Sequence, residues 1–314
     1  MTEIAERQIV KPVSLKFMLG DLRLFSLEYE TLVIDPHGLN RAYNAEPPGP
    51  PPQAPCDVVL LRSCPVSGPL PRFCWSRGWI RYVPSQYQRY YIDLSSTFDE
   101  YMAKFSAKSR ATLIRKVRKF AQTFGAVDPP VRVYRHPAEL REFHRLAREV
   151  SRRSYQERLL DAGLPAPDGF RERLADLARR DAVRAYLLFA GDRPVAYLCC
   201  PANDGALIYQ YVGFDPEFRA YSPGTVLQHL ALESIFAERE FSYFDFTEGE
   251  GAHKQFFSTG SVSCADVYYF RRSVSKTCMI ASHLATNALS ETAGRILDRL
   301  NLKTAIRRRM RLQQ

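Results

Sequence analysis

Three carboxylates lie close together near the end of a predicted strand in the second half of the chain. Asp245 stands within Phe244-Asp245-Phe246, and Glu248 and Glu250 follow it. A carboxylate between apolar side chains is costly to bury unless it is used. A carboxylate at a strand end can act as a general base. Asp245 is therefore the first candidate for a general base, with Glu248 beside it; the structural alternative is that Asp245 pairs with Lys254 or a backbone turn.

A turn upstream of these carboxylates has the composition of an anion-binding site. It reads Tyr221-Ser222-Pro223-Gly224-Thr225-Val226. Ser222 is predicted to cap a helix, Pro223 suits the first helical position, and Gly224 leaves room for a group to approach the backbone. The N–H groups and the dipole of a helix start favour a phosphate there. The alternative is a capped helix that binds nothing.

The elements that would position these groups form one unit. The pattern predicts a strand over residues 206–212, a helix from residue 223 to about residue 238, and a strand over residues 241–247. One side of the helix is predicted to be apolar, formed by Val226, Leu227, Leu230, Ala231 and Ile235. Strand, helix and strand of this length predict a βαβ crossover with parallel strands, which places the helix start at the strand ends.

Four more side chains near this unit could take part in proton transfer or anion binding. Tyr209 and Tyr211 alternate on the first strand, where one could protonate a leaving group, although packing in the core is the more common role. His253 could titrate near neutral pH. Lys254 could meet a phosphate or a carboxylate.

A basic helix is predicted upstream. Residues 101–120 contain seven Lys or Arg and no acidic residue, and Leu113, Val117 and Phe120 share one apolar face. The basic side could be a solvated surface, a nucleic-acid site or a site for an anionic donor or a phosphorylated, lipid-linked acceptor. No nucleic-acid-binding motif accompanies it, which favours the third interpretation over the second. The residues predicted to hold the anion are Lys108, Arg110, Arg115 and Arg118.

Composition predicts a globular protein with an anionic partner. The chain has 314 residues, 46% of them hydrophobic, which predicts one large or two medium domains. The net charge of +10 favours a phosphate-bearing ligand, nucleic acid or anionic lipid. Residues 1–17 do not read as a signal peptide, and no stretch of 18 apolar residues predicts a membrane-spanning helix. A cytoplasmic location is expected, with the inner face of the membrane as a peripheral alternative.

The seven cysteines are scattered without CxxC spacing, which argues against a disulfide framework and against a zinc site. Cys199 and Cys200 lie in an apolar strand and are predicted to be buried rather than nucleophilic. No metal is expected.

Other segments complete the predicted order. Residues 22–34, 57–61 and 79–94 read as extended structure, and residues 184–212 as a three-strand meander with an Asn203-Asp204-Gly205 turn. Residues 262–271 add a closing strand. The tail from residue 273 is helical in pattern and ends with five basic residues in 301–314.

Several of these motifs resemble the GNAT acyltransferases, in particular the branch called CelD-like or FemAB-like from bacterial exopolysaccharide and cellulose gene clusters. The matching residues run from Ser95 to Phe270. They are Lys108-Ser109-Arg110 with Leu113, Arg115 and Arg118; Ser154-Tyr155-Gln156; Tyr221-Ser222-Pro223-Gly224; Phe244-Asp245-Phe246 with Gly249; and His253-Lys254. Most GNAT proteins have two glycines in the turn, whereas this chain has Pro223 and one glycine.

The resemblance implies an acyl-coenzyme A donor, acetyl-coenzyme A being the first candidate. Its pyrophosphate would lie against residues 221–226, with Lys254 nearby. A sugar, polysaccharide precursor, lipid-linked or amine acceptor would attack the thioester directly, with Asp245, Glu248 and Tyr211 as catalytic candidates. Tyr155 and Gln156 would line the acceptor pocket, where the branch has a lysine in place of Gln156.

The resemblance also implies an α/β fold, a GNAT-type mixed sheet with helices on both faces and two tandem GNAT-like lobes. We predict a degenerate lobe with the basic helix at 1–130, an acyltransferase lobe at 131–275 and a basic helical tail at 276–314. One alternative is a FemAB-like transferase that uses aminoacyl-tRNA. The other is a non-catalytic GNAT-derived protein that binds an anionic membrane or a partner.

Overall fold

A computed structural model describes residues 7–20, 22–35, 47–76, 78–124, 130–154, 163–249 and 251–299. The chain divides into two compact units. The first combines Met1–Tyr87 with Val262–Gln314, and the second is Gln88–Ser261. The basic helix therefore belongs to the second unit. The predicted duplication of GNAT-like lobes stays a prediction.

The first unit is built mainly from extended chain. Its strands are β1 (Arg7–Leu19), β2 (Leu22–Asp35), β3 (Val58–Pro65), β4 (Phe73–Ser76), β5 (Trp79–Tyr82) and β13 (Gly260–Arg271). β1 and β2 form a long antiparallel hairpin, and the end of β2 pairs in parallel with β3. β13 pairs antiparallel with β3 and β5, and β4 closes on β5. The predicted strands at 22–34, 57–61 and 262–271 are thus confirmed, whereas β1 and β4 were not predicted.

A C-terminal helix packs on the hairpin of the first unit. α7 (Val274–Arg299) places Ile280 and His283 in a buried layer with Phe17 and Tyr82. The His283 ring hydrogen bonds with the Tyr82 hydroxyl, and its Nε2 lies 3.0 Å from the Lys16 carbonyl oxygen. The helical pattern predicted from residue 273 is confirmed through residue 299; the basic residues of 301–314 lie outside the described residues.

The second unit contains a mixed sheet. Its strands are β6 (Gln86–Asp93), β7 (Val131–Tyr134), β8 (Val183–Ala190), β9 (Arg193–Asn203), β10 (Ala206–Ile208), β11 (Tyr211–Phe214) and β12 (Tyr243–Asp245). β7, β8, β9 and β10 form an antiparallel meander. The turn before β10 has positive φ at Asp204 and Gly205, which suits a tight hairpin. β12 runs parallel to β10 and antiparallel to β6, so the predicted crossover is confirmed.

Helices cover both faces of this sheet. They are α1 (Phe98–Ala103), α2 (Ala107–Phe124), α3 (Pro137–Arg153), α4 (Asp168–Arg179), α5 (Pro223–Glu238) and α6 (Ala252–Phe257). Tyr186 and Leu188 of β8 point to the layer of α1, α2 and α5, whereas Ala185 and Leu187 point to the layer of α3 and α4. This alternation confirms the predicted α/β class, a mixed sheet between two helical layers.

Two predicted elements are interrupted. The strand predicted over 206–212 is split at Tyr209 and Gln210, because β10 pairs with β12 whereas β11 pairs with β9. The basic helix predicted within 101–120 is split at 104–106, so that α1, which starts with a Thr97–Glu100 capping box, precedes α2. No described helix is both long and apolar enough to cross a bilayer.

Candidate functional site

The site lies where β10 and β12 part. Their parallel pairing ends at Ile208 and Asp245, and the Tyr209 N–H then donates to the Asp245 carbonyl oxygen at 2.8 Å. Beyond this bond the two chains follow different partners. β11 runs along β9, whereas the Phe246 N–H donates to the Tyr90 carbonyl oxygen at 3.0 Å. An opening between neighbouring parallel strands is a usual place for a ligand in an α/β sheet.

The start of α5 lies at the far end of β11. A short 3₁₀ helix (Pro216–Tyr221) leads from Phe214 into α5. A Cβ built on Gly224 would lie 3.7 Å from the Phe214 ring, an ordinary contact distance. A methyl group at this glycine would therefore fit without a clash. The first amides of α5 are thereby brought to the end of the strand that borders the opening.

Ser222 does not cap α5 with its side chain, which corrects the prediction. Its φ is 54° and ψ is 49°, because the residue also ends the preceding 3₁₀ helix. Its carbonyl oxygen instead accepts from the N–H groups of Thr225 at 3.0 Å and Val226 at 3.1 Å. Pro223 has no N–H, and Gly224, as the second helical residue, has no intrahelical acceptor. One amide at the helix start therefore remains for an anion.

Tyr221 and Val226 contribute to packing more than to an open surface. The Tyr221 ring lies 4.8 Å from the Phe124 ring of α2, and the Lys119 ammonium lies 5.4 Å from its centre. Val226 is fully buried. Tyr221 thus joins the turn to the basic helix, and Thr225 is the half-buried polar side chain beside Gly224.

Asp245 is held by a residue that the sequence analysis did not connect with it. Its side chain is fully buried, and Arg89 Nε lies 3.1 Å from each carboxylate oxygen while Arg89 Nη2 also donates to Oδ2. The Thr247 N–H donates to Oδ1 at 2.8 Å. Thr247 itself has a positive φ of 61°, which is rare for a β-branched residue. The carboxylate therefore shapes the loop after β12, and it would have to give up these bonds to accept a proton.

Lys254 pairs with the loop rather than with the Asp245 carboxylate. Its ammonium donates to the Glu248 carbonyl oxygen. Burial lowers the Lys254 pKa, and the charges of Asp245 and Glu248 oppose that shift. The Glu248 side chain is exposed. The predicted pairing of Asp245 with Lys254 is replaced by the pairing with Arg89.

A second hydrogen bond connects α5 with α6. The His253 Nε2 atom is bonded to Oε1 of Gln228, whose side chain is buried while its amide nitrogen has no partner among the described residues. The His253 ring lies 4.9 Å from the Phe257 ring and 6.4 Å from the Tyr209 ring. Desolvation of the ring, followed by the charge of Lys254, lowers the His253 pKa. His253 is therefore neutral at pH 7, and because Oε1 accepts the Nε2 hydrogen, Nδ1 carries the lone pair.

The two tyrosines of the split strand lie in different layers. Tyr209 packs on Phe244 and Phe246, and burial raises its pKa. Tyr211 packs instead on Phe170 of α4, and its hydroxyl accepts from Arg173 Nη2 at 2.9 Å. Tyr209 and His253 are thus brought together, whereas Tyr211 contacts the α3–α4 layer.

The basic helix presents a groove of about 410 Å³ on its exposed side. The described lining residues are Ala111, Ile114, Arg115, Arg118, Lys119 and Gln122. Arg115, Arg118 and Lys119 occupy one stripe of α2 because they are spaced three and four residues apart. Lys119 also contacts Tyr221, so this stripe reaches the turn that opens α5. Lys108 is exposed in the first turn of α2, and Arg110 is half-buried there.

The predicted acceptor residues Tyr155 and Gln156 lie outside the described residues. Ser154 ends α3 and is fully buried. Cys199 and Cys200 are fully buried, and burial raises the Cys199 pKa to about 12, so neither is a thiolate near neutral pH. No group of three or more His, Cys, Asp or Glu is arranged as a metal site in the described part of the chain.

A comparison with family models gives a match over somewhat less than half of the chain. Residues 107–255 match the model described as an acetyltransferase (GNAT) domain. The matched residues begin with the basic helix α2 and end at Gln255 in α6, so they include the α5 start, Asp245 and His253. The match confirms the predicted enzyme class, an acyltransferase, for this part of the chain.

Solved structures give weaker similarities. The structure of L-PGS from Bacillus licheniformis is 14% identical with a TM-score of 0.45 over 82% of this chain and 85% of that one. FemX is 12% identical with a TM-score of 0.41 over 59% of this chain and 61% of that one. An aminoglycoside acetyltransferase from an uncultured soil sample is 15% identical with a TM-score of 0.30 over 42% and 87%. At these TM-scores the similarities do not establish a shared fold by themselves.

The chain spans somewhat less than two thirds of two other matched structures. It covers 66% of a DUF2156 domain from Agrobacterium fabrum and 63% of a protein from Bacteroides thetaiotaomicron. No curated protein matches the sequence significantly.

Proposed function

We propose that the protein is an acyltransferase that moves an acetyl or similar acyl group from coenzyme A to an amine or hydroxyl. The observation that carries this proposal is the start of α5. Its Gly224 amide is unclaimed by the helix and lies by Phe214, at the end of the strand that borders the opening. The same residues lie within the match to the acetyltransferase domain.

The donor's pyrophosphate is proposed to lie against the Gly224 amide. The helix dipole adds to this attraction. Pro223 has no N–H to donate, and the N–H groups of Thr225 and Val226 already donate to the Ser222 carbonyl oxygen. The start of α5 therefore offers a phosphate fewer amides than a glycine-rich turn would. Arg115, Arg118 and Lys119 supply the positive charge that compensates, because Lys119 reaches the turn through Tyr221.

The acceptor attacks the thioester carbonyl directly. A carbon–nitrogen or carbon–oxygen bond forms, the carbon–sulfur bond breaks, and the leaving thiolate takes up a proton. His253 Nδ1 is proposed to accept the acceptor's proton, because the ring is neutral and its other nitrogen is fixed by Gln228. Asp245, the first candidate from the sequence, acts as a positioning residue that holds the loop through Thr247. Glu248 and Tyr211 stay catalytic candidates.

The acceptor is proposed to be a sugar or polysaccharide precursor, in keeping with the resemblance to the CelD-like branch. Tyr155, Gln156, Lys108 and Arg110 stay its predicted contacts. A bacterial role in exopolysaccharide biosynthesis, at the cytoplasmic side of a membrane, follows from the same resemblance.

Thermal unfolding in the presence of each donor tests the proposal. Acetyl-coenzyme A at 100 times its Kd would stabilise the fold by about 2.7 kcal/mol, and a charged tRNA would give no comparable shift. Stabilisation by aminoacyl-tRNA alone, with a steep dependence on salt, would instead support the tRNA-dependent alternative. No shift with either donor, together with no release of thiol for any acceptor, would support a non-catalytic protein.

A further inference from the structure

The tip of the β1–β2 hairpin exposes a cluster of apolar side chains. We define the hairpin tip as residues 18–20 and 22–26. Leu19 is 41% exposed, Leu22 63%, Leu24 49% and Phe25 50%. Single exposed apolar residues are common on proteins, but a contiguous apolar patch marks an interaction site.

Both faces of the hairpin are exposed at the tip. Further along β2 the strand alternates, with Leu27 and Tyr29 half-buried and Glu28 and Glu30 exposed. Residues 22–26 do not alternate, since every one of them is exposed. Successive side chains of a strand point to opposite faces, so the apolar surface surrounds the tip instead of lying on one side.

Helix α7 extends this apolar surface. The Gly20 N–H donates to Ser290 Oγ at 2.7 Å, which fixes this turn of α7 beside the tip. The preceding residue, Leu289, is 66% exposed. Five exposed apolar side chains from two elements therefore lie at one end of the first unit.

Basic side chains lie among the apolar ones. Residues 16–26 contain Lys16 and Arg23 and one acid, Asp21. Lys16 and Arg23 are exposed at the tip and directly below it. In sequence, the segment that follows α7 adds five basic residues and no acid within 301–314. This charge is complementary to anionic phospholipid headgroups. Each Lys or Arg that lies near an anionic membrane surface adds to the binding free energy.

We propose that the hairpin tip docks this protein on an anionic phospholipid bilayer. The side chains of Leu22, Leu24 and Phe25 enter the interfacial region, and Lys16 and Arg23 contact lipid phosphates. A bilayer fits better than a second copy of the chain, because a protein partner would cover one face of the hairpin whereas lipid surrounds a tip that is apolar on both. The inference does not depend on the acyl transfer proposed above.

The backbone of the tip suits shallow insertion. β1 and β2 remain paired up to Leu19 and Leu22, so the peptide groups on the inner edges of the two strands bond across the hairpin. Unpaired peptide groups are what make an extended chain costly in lipid. Insertion no deeper than the headgroups keeps the outward-facing peptide groups of the hairpin in contact with water.

Sedimentation with vesicles tests the proposal on the full chain. The vesicles contain equal parts of phosphatidylcholine and phosphatidylglycerol, with pure phosphatidylcholine as the comparison. The wild type is expected to bind the anionic vesicles. The Leu22→Ser/Leu24→Ser double variant is expected to bind them about tenfold more weakly or less still. Val133→Ser, which changes a 39% exposed side chain on β7, is the matched control and should bind like the wild type.

Two results would overturn the proposal. One is unchanged vesicle binding by Leu22→Ser/Leu24→Ser, with binding lost when the basic residues of 301–314 are replaced by glutamine. The other is no vesicle binding by the wild type, together with a dimer in solution that this double variant converts to a monomer. In both cases acetyl-coenzyme A stabilisation, measured without vesicles, reports separately on the proposed function.

A fluorescence measurement gives an independent readout. A Leu24→Trp variant keeps the site apolar and adds an indole at the tip. Its emission is expected to shift to shorter wavelength on anionic vesicles, relative to the wild-type background from Trp75 and Trp79. An unshifted emission from vesicle-bound protein would contradict insertion of the tip.

Discussion

Arg89 binds both carboxylate oxygens of Asp245 across 156 residues of sequence. Asp245 is the last residue of β12 that pairs with β10, and the Thr247 N–H also donates to its carboxylate. The group that the sequence analysis selected for chemistry is thus part of the structure that supports the opening. Its replacement should therefore affect stability first.

Asp245→Asn is expected to destabilise the fold by about 3 kcal/mol, because Arg89 then loses its buried counter-charge. Urea unfolding measures the change. The control is Glu149→Gln, which breaks the exposed Arg145–Glu149 pair of α3 and should cost less than about 0.5 kcal/mol. An Asp245→Asn protein as stable as the wild type but inactive would restore Asp245 as the base.

Gly224→Ala is expected to weaken acyl-coenzyme A binding at least tenfold while leaving stability nearly unchanged. The added methyl group would meet only the Phe214 ring at an ordinary distance, but it would stand where a phosphate approaches the amide. Gly169→Ala is the matched control, since Gly169 is also the second residue of its helix and has open space around it. Calorimetric titration compares the two. Equal affinity in both variants would place the donor elsewhere.

The rate of acyl transfer is expected to fall on the acid side of neutrality. The His253 pKa is lowered below its ordinary value of about 6.5, so the ring is neutral at pH 7 and becomes protonated only at lower pH. The kcat/KM profile should therefore be flat from pH 7 to 8 and decline below about pH 6.5. His253→Gln should lower the rate and remove this decline. A decline that persists in His253→Gln would assign it to another group.

Arg118→Gln is expected to reduce donor affinity two- to fivefold, because one exposed cation contributes up to about 1 kcal/mol to the binding of an anion. The loss should shrink as salt is added, since salt screens exposed charges. Lys116→Gln, on the same helix but outside the groove lining, should leave affinity unchanged. Equal losses from both substitutions would indicate a general effect of charge and no local site.

Stability is expected to fall as the pH drops below about 6.5, partly through His283. Burial lowers its pKa, so the unfolded chain binds the proton first and protonation favours unfolding. The stability that neutral His283 contributes is fully present above the pKa of the unfolded chain. It is lost as the pH falls toward the lower pKa of the folded protein. The Tm of His283→Gln should fall less between pH 7 and pH 5 than the Tm of the wild type does. An unchanged slope would show that His283 does not titrate in this range.

Local pattern was sufficient to predict the crossover and the meander. Apolar residues along α5 and the Asn203-Asp204-Gly205 turn specify their own conformations, and the structure has them where they were predicted. The split of the strand at Tyr209 was not predictable in the same way, because it arises when one strand changes partners.

The candidate site shows the same division. Gly224 and the helix start follow from neighbouring residues, and so they could be read directly. The partners of Asp245 and His253 could not, because Arg89 and Gln228 are distant in sequence and carry no motif. The αL conformation of Ser222 follows from the preceding 3₁₀ helix, which the turn composition alone does not reveal.

The hydrogen bond from the Tyr209 amide to the Asp245 carbonyl oxygen is the last one described between the β10 and β12 segments before they separate. It fixes by main-chain register the point at which β10 and β12 separate. Exchanging side chains can change what lines the opening, but only an insertion or deletion in β10 or β12 would move the point of separation.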